Sequence, residues 1–221
     1  MELSIVIPAY NEEQRISDVL NNYKTLKSEI IVVADGSDKT AEIARRAGVR
    51  VLEFKERLGK GGAIIEGFKA AKGDVLSFVD CDTAVTPHEF SRLLGVFREK
   101  KCDVLVGSRR LADSETRKKQ PWGRRISSRL FNYFVRAVFR LKIKDTQCGI
   151  KFFKSESVKP LLDEIKHKGF EFDVELLWRL KKTGRKIVEE PVSWQHCSGS
   201  KFSLSYGPRM CFSLLKLRLT G

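Results

Sequence analysis

Asp80 and Asp82 stand one residue apart at the end of the apolar run Val75-Leu76-Ser77-Phe78-Val79. Side chains alternate along a strand, so residues i and i+2 share a face. A strand that opens into a loop at Asp80 therefore aims both carboxylates at one point. Hard oxygen ligands in such a pair suit Mg²⁺ or Mn²⁺ carrying a diphosphate. An Asp-x-Asp pair on a solvated turn is common, so this one takes its meaning from the rest of the chain.

The elements that must position the pair alternate. Strand patterns fall at residues 3–7, 30–34, 49–54, 74–79 and 103–106, and helix patterns at 13–24, 38–47, 64–71 and 86–100. Thr86-Pro87-His88-Glu89 is a helix start with a capping residue and proline at the first helical position. This order predicts an α/β fold with a doubly wound, mostly parallel sheet and ligands at the carboxyl ends of its strands. There the chain places Pro8-Ala9-Tyr10-Asn11-Glu12, Asp35-Gly36-Ser37, Asp80-Cys81-Asp82 and Gly107-Ser108-Arg109. Ordinary loop polarity accounts for any one of these, but not for four converging on one crevice. Gly59-Lys60-Gly61-Gly62 precedes a helix and reads equally as a flexible turn or a phosphate contact.

With 221 residues, 42% hydrophobic and 32% charged, the chain is expected to form one globular domain. No apolar run approaches the ~20 residues that span a bilayer, and the early strand leaves no room for a signal peptide. Five cysteines without C-x-x-C spacing indicate reduced thiols in a cytoplasm rather than a disulfide framework or zinc site. The net charge of +14 calls for an anionic partner. It is concentrated late: residues 109–144 carry twelve basic side chains against Asp113 and Glu115. Within residues 123–141, Arg125, Arg129, Arg136 and Arg140 fall in roughly a 60° stripe of a helical wheel. Ile126, Leu130, Phe131, Phe134, Val135, Val138, Phe139 and Leu141 fill most of the rest. That pattern fits a helix lying in an anionic membrane interface, or a core helix with snorkelling arginines. The basic amphipathic segment 202–221 repeats the composition after a catalytic region spanning 1–201.

The ordered series "SIVIPAYNEE", "VVADGSDKT", "RLGKGGAIIEGFKAAKGDVLSFVDCDT", "VGSRR" and "DTQCGIKFF" resembles family 2 glycosyltransferases of the GT-A fold, and within them the dolichyl- and polyprenyl-phosphate glucose and mannose synthases. The resemblance implies that Pro8, Tyr10, Glu12 and Asp35 line a nucleotide-sugar pocket, toward which the glycine-rich turn would carry Lys60. It implies that Asp80 and Asp82 hold Mg²⁺ or Mn²⁺ and the donor diphosphate. Arg109, Arg125 and Ser128 would receive the acceptor phosphate, with Asp173, Ser200 and Lys201 as further candidates. Such families often read Asp-Asp-Gly-Ser where this chain has Ala34-Asp35-Gly36-Ser37. Ala84 stands where mannose-type enzymes place a glutamine, which favours UDP-glucose over GDP-mannose and leaves the third metal ligand open.

The implied reaction moves a hexose, with inversion, from a nucleotide sugar to dolichyl or polyprenyl phosphate. A phosphate monoester is largely dianionic at pH 7, its second pKa being ~6, so it needs positioning rather than a base. The expected location is the cytoplasmic face of a membrane, peripherally bound. A soluble saccharide acceptor is the alternative, and its hydroxyl would need a carboxylate base such as Asp173. A nucleic-acid-binding module would explain the charge, but it leaves the four polar strand ends unused and has no recognised motif, so no nucleic acid is expected.

Overall fold

In the computed structural model, which describes residues 1–115, 122–195 and 206–220, the first half of the chain alternates as its pattern predicts. Strands β1 (Leu3–Ala9), β2 (Glu29–Ala34), β3 (Arg50–Glu53), β4 (Val75–Val79) and β5 (Val104–Ser108) are separated by helices α1 (Ile16–Tyr23), α2 (Thr40–Arg46), α3 (Gly59–Ala70) and α4 (Pro87–Glu99). The second half adds α5 (Trp122–Phe139), β6 (Ile150–Lys154), α6 (Ser155–Val158), a 3₁₀ turn at Lys159–Glu164, α7 (Phe172–Lys182), β7 (Ile187–Pro191) and α8 (Tyr206–Thr220).

The strands form one sheet in the order β3-β2-β1-β4-β6-β5-β7. The β1–β2, β1–β4, β2–β3 and β5–β7 pairings are parallel, while β6 runs antiparallel between β4 and β5. The sheet is thus mostly parallel, with one reversed strand that the sequence pattern does not reveal. Lys151 is the reason: it lies fully buried inside β6 and interrupts what would otherwise read as an apolar strand. The reversal matters for the site. It starts β6 at the same sheet edge where β4 and β5 end, and puts Ile150 opposite Val79.

Both faces of the sheet are covered, as near-continuous apolar strands require. One core layer joins β1, β4 and β6 side chains to α3, α5, α7 and α8, including Phe68, Phe78, Phe139, Trp178 and Leu214. The other joins the opposite side chains to α1, α2 and α4, including Leu20, Ala44 and Phe90. Thr86 caps α4 by accepting from the Glu89 amide at 3.2 Å, with Pro87 in the first turn.

Two features depart from the sequence pattern. Helix α3 begins at Gly59, five residues before the periodic apolar run. Gly59 has φ +74°, and a Cβ on Gly61 would lie 2.4 Å from Phe172 Cβ. These glycines, poor helix formers in themselves, let the first turn of α3 press against the segment before α7. In α5 the apolar circumference is divided. Val135 and Phe139 are buried, and Phe131, Phe134 and Val138 pack against the core. Ile126, Leu130 and Tyr133 stay in solvent, with Leu130 66% exposed. Helix α8 divides likewise, burying Met210, Leu214 and Leu217 and exposing Phe212, Leu215 and Leu219. No helix among the described residues is long and apolar enough to cross a membrane.

Candidate active site

A cleft of about 470 Å³ opens at the carboxyl ends of β1, β2 and β4. Pro8 lies near the end of β1 and Tyr10 follows it, Asp35 follows β2, and Asp80 and Asp82 follow β4; all five line it, together with Glu12 and Lys60. The structure therefore brings together every residue expected to contact the nucleotide sugar. Across the cleft stand two segments that the sequence pattern does not signal: the loop Lys168-Gly169-Phe170-Glu171 and, from the first turn of α8, Tyr206, Arg209 and Met210.

The carboxylate pair is asymmetric. Lys60 Nζ lies 2.6 Å from Asp80 Oδ1. Burial works against the Lys60 charge, but Asp80 and Asp173 outweigh it and hold its pKa up. A Cβ on Gly149 would lie 2.5 Å from Asp80 Oδ2, so only a glycine just before β6 leaves that oxygen its place. Asp82 accepts from the Ala84 amide at 3.0 Å. Burial, reinforced by the charge of Asp80, pushes its carboxyl up to about 6.

On the nucleotide side, the Arg57 guanidinium lies 4.2 Å from the Tyr10 ring centroid, and Arg15 donates to Glu12 at 2.7 Å. Asp35 is 4% exposed and accepts from the amides of Leu58 and Gly59 at 2.8 and 3.1 Å. Burial nevertheless raises its carboxyl. The Gly62 amide is taken by Lys168 O at 3.1 Å. With two amides of the glycine-rich turn and that of Leu58 before it engaged in this way, its glycines serve close packing, and Lys60 is the group it delivers to the site.

Asp173 is placed beneath the cleft rather than in it. It is 2% exposed, and its Oδ1 accepts from Lys151 Nζ at 2.7 Å. Lys151 also donates to Cys148 O at 2.7 Å. Lys60 and Lys151 both lie over the Phe78 ring, at 5.5 and 5.2 Å. The result is a short ladder of alternating charge, Asp80, Lys60, Asp173 and Lys151, under the sheet edge.

Arg109 is bound within the protein. Its Nε and Nη2 donate to the two oxygens of Asp145 at 2.7 and 2.9 Å, and Asp145 is fully buried. Such a fork is the strong geometry for guanidinium and carboxylate. It holds the Asp145 carboxyl below the usual range against the effect of burial. The neighbouring Arg110, which the sequence pattern did not single out, is half-buried and donates to Ser128 Oγ of α5 at 2.7 Å. Burial lowers its pKa, as do Arg109 and Arg129, against Asp145. Its Nε lies 3.9 Å from Asp145 Oδ1, so one buried carboxylate serves both arginines. Only the place of Arg110 directly after Arg109 could have drawn attention to it. Arg125 falls in α5, but its side chain lies outside the described residues, as do Ser200 and Lys201 entirely.

The donor set tests whether a divalent cation fits. Among the described residues no group of three His, Cys, Asp or Glu converges. Asp80 and Asp82 offer hard oxygen ligands beside a cleft, and the Lys60 ammonium already rests on one of them. Two carboxylates suit Mg²⁺ or Mn²⁺, which retain water or take diphosphate oxygens for the remaining positions.

A mixed sheet of this order, with an Asp-x-Asp pair ending a central strand beside a nucleotide-sized cleft, defines a GT-A type glycosyltransferase. The sequence model of Glycosyl transferase family 2 matches residues 4–162, and the chain belongs to that family. It is 32% identical to a dolichyl-phosphate beta-glucosyltransferase of Dictyostelium discoideum, across 98% of this chain and 73% of that protein. It is 34% identical to the glycosyltransferase AglD of Haloferax volcanii across 92% of its own length, but spans only 35% of that longer protein. Among solved structures, glucosyl-3-phosphoglycerate synthase of Mycobacterium tuberculosis, crystallised with Mn²⁺, uridine diphosphate and phosphoglyceric acid, superposes with a TM-score of 0.77. That likeness covers 99% of this chain and 78% of the other at 21% identity, and speaks to the fold.

Proposed function

We propose that the chain transfers glucose from UDP-glucose, with inversion, to dolichyl or another polyprenyl phosphate at a membrane surface. The observation that carries the choice of acceptor is the Lys151–Asp173 pair. A hydroxyl acceptor needs a carboxylate to take its proton. The carboxylate expected for that work is 2% exposed and 2.7 Å from a buried ammonium. A phosphate acceptor needs no such base, and the names of the curated relatives point the same way.

In this reading Tyr10, Arg57 and Asp35 frame the nucleoside, and Asp80 and Asp82 hold a divalent cation. That cation, when bound, supplies Lewis-acid stabilisation of the leaving diphosphate. Lys60 adds a positive charge at the same oxygens. Arg110 and Ser128, joined by Arg125, receive the acceptor phosphate, while Arg109 positions that wall through Asp145. The outer faces of α5 and α8, which carry basic residues and no acids, rest on anionic lipid. The free thiols of Cys81, Cys102, Cys148 and Cys211 suit the reducing, cytoplasmic side of the membrane.

The test is direct. The protein is incubated with labelled UDP-glucose, Mg²⁺ or Mn²⁺ and a polyprenyl phosphate, and label is expected in the organic phase. Label passing only into a water-soluble saccharide would overturn the acceptor assignment. Glu171→Gln is the companion variant, because Glu171 also lines the cleft. A hundredfold loss of turnover there would restore the base-dependent alternative.

A further inference from the structure

Helix α8 belongs to two surfaces at once. Its outer row, Phe212, Leu215 and Leu219, is 73%, 41% and 85% exposed, at the i, i+3, i+7 spacing of one helical face. Lys216 and Arg218 stand exposed beside it, and neither α8 nor the adjoining α5 carries an acid. The first turn of the same helix walls the nucleotide cleft through Tyr206, Arg209 and Met210. A helix of fifteen residues is about 22 Å long, so events on its outer face and in the cleft share one rigid rod.

A polar contact ties this rod to the opposite wall. His167 Nε2 and Ser213 Oγ of α8 are 2.5 Å apart, and His167 Nδ1 is 2.5 Å from Glu175 Oε2. Glu175 is fully buried. It also accepts from the amides of Lys166 and His167 and from Arg179. It stays ionised and accepts a hydrogen bond from Nδ1–H, which turns Nε2 toward the Ser213 hydroxyl. His167 opens the loop whose next four residues line the cleft. Lys168 O of that loop holds the Gly62 amide of α3, the helix that carries Lys60 to Asp80. Phe170 of the loop and Tyr206 of α8 lie with ring centroids 6.2 Å apart.

The three residues resemble a hydrolytic Ser-His-Glu arrangement, but Ser213 lies mid-helix with its neighbouring amides inside the helical ladder. The contact is therefore mechanical. In water α8 is seated by one apolar row, Met210, Leu214 and Leu217, while the other row remains exposed. An anionic lipid surface satisfies the second row and its flanking cations, and so favours the seated helix that completes the cleft.

We infer that docking of α8 on anionic lipid and loading of the nucleotide cleft strengthen one another, with His167 a positioning residue that carries the coupling through Ser213. This rests on the membrane-surface reading above. Linkage requires the two effects to be equal, and the factor is about fivefold, the worth of one ordinary hydrogen bond.

The experiment measures the Kd of UDP with Mn²⁺ for the full chain by calorimetry. It is run without vesicles, with phosphatidylcholine vesicles, and with mixed phosphatidylcholine and phosphatidylglycerol vesicles. Mixed vesicles are expected to tighten UDP about fivefold, neutral ones to leave it unchanged, and UDP with Mn²⁺ to tighten vesicle binding by the same factor. Ser213→Ala and His167→Asn, which keeps an amide toward Glu175 but lacks Nε2, should still bind vesicles yet lose the factor. Their combination should lose nothing further. Ser213→Thr retains the hydroxyl and should retain the coupling, which separates loss of the contact from loss of fold. Vesicle-bound wild-type protein with unchanged UDP affinity overturns the coupling alone. No vesicle binding, or a dimer dispersed by Phe212→Glu, overturns the docking reading with it.

Discussion

The ammonium of Lys60 rests 2.6 Å from Asp80 Oδ1, on the carboxylate whose geometry suits a divalent cation. In the proposed reading lysine and metal share one ligand. Asp80 would release part of its hold on Lys60 when a cation arrives, and Lys60 would then face the diphosphate beside it. Lys60→Met should accordingly bind free Mn²⁺ more tightly than wild type while turning over ~10- to 100-fold more slowly, the scale of one lost charge at a leaving group. Electron paramagnetic resonance of Mn²⁺ and single-turnover kinetics check the two halves. Weaker Mn²⁺ binding in the variant would show that Lys60 supports the site rather than competing for it.

Asp82 yields a prediction with opposite signs for stability and activity. Its folded pKa of about 6 lies above the ordinary 3.8, with burial the main cause and Asp80 the second. Between those values the folded state binds the extra proton, so this group makes stability fall as pH rises. The cost is absent below about 3.8 and complete above about 6. Urea unfolding in chelator should find Asp82→Asn more stable than wild type at pH 7.5, by on the order of 1–2 kcal/mol, with the gain shrinking toward pH 4. Turnover should fall at least ~10²-fold. A variant that loses stability at neutral pH would contradict the electrostatic account.

The two adjacent arginines part company. Arg109 fills a fork on fully buried Asp145. Arg109→Ala should therefore cost about 3–5 kcal/mol of stability, the usual penalty for stranding a buried charge. Arg110 reaches Asp145 only at 3.9 Å and donates to Ser128 Oγ of α5. Arg110→Ala should leave unfolding nearly unchanged and raise the KM for lipid phosphate roughly tenfold, as for one lost charge-assisted contact, without altering donor binding. Equal effects on both substrates would remove Arg110 from the acceptor wall.

The alternation that places Asp80 and Asp82 was legible because β1, β2 and β4 are buried on both faces and read as plain apolar runs. Tyr10, Glu12 and Asp35 followed from them, since parallel strands deliver their ends to one edge, and Lys60 was marked by the glycine-rich turn around it. Later features were hidden for physical reasons. Buried Lys151 masks β6, and edge strand β7, Ile187–Pro191, is only half-buried and carries two glutamates. The destination of Arg109 depends on Asp145, thirty-six residues on, through a fork that no local pattern encodes. The apolar residues of α5 announce an amphipathic helix, but which of them meet the core depends on where α8 lies.

Gly149 offers the sharpest test of the site because it touches no ligand. It immediately precedes β6, beside the end of β4, where a Cβ would sit 2.5 Å from Asp80 Oδ2 and 3.1 Å from its Cγ. Backbone φ at this position is ordinary, so Gly149→Ala brings little conformational penalty and acts by pushing one carboxylate aside. Displacing a charged ligand by a few tenths of an ångström misaligns the cation, and positioning errors of about 1 Å cost catalysis ~10²-fold. The expected result is a Mn²⁺ affinity reduced about tenfold and turnover reduced further. Binding of a nucleoside monophosphate without metal should be unaffected. Should Gly149→Ala bind Mn²⁺ like wild type, Asp80 does not hold the cation and the carboxylate pair loses its assigned work.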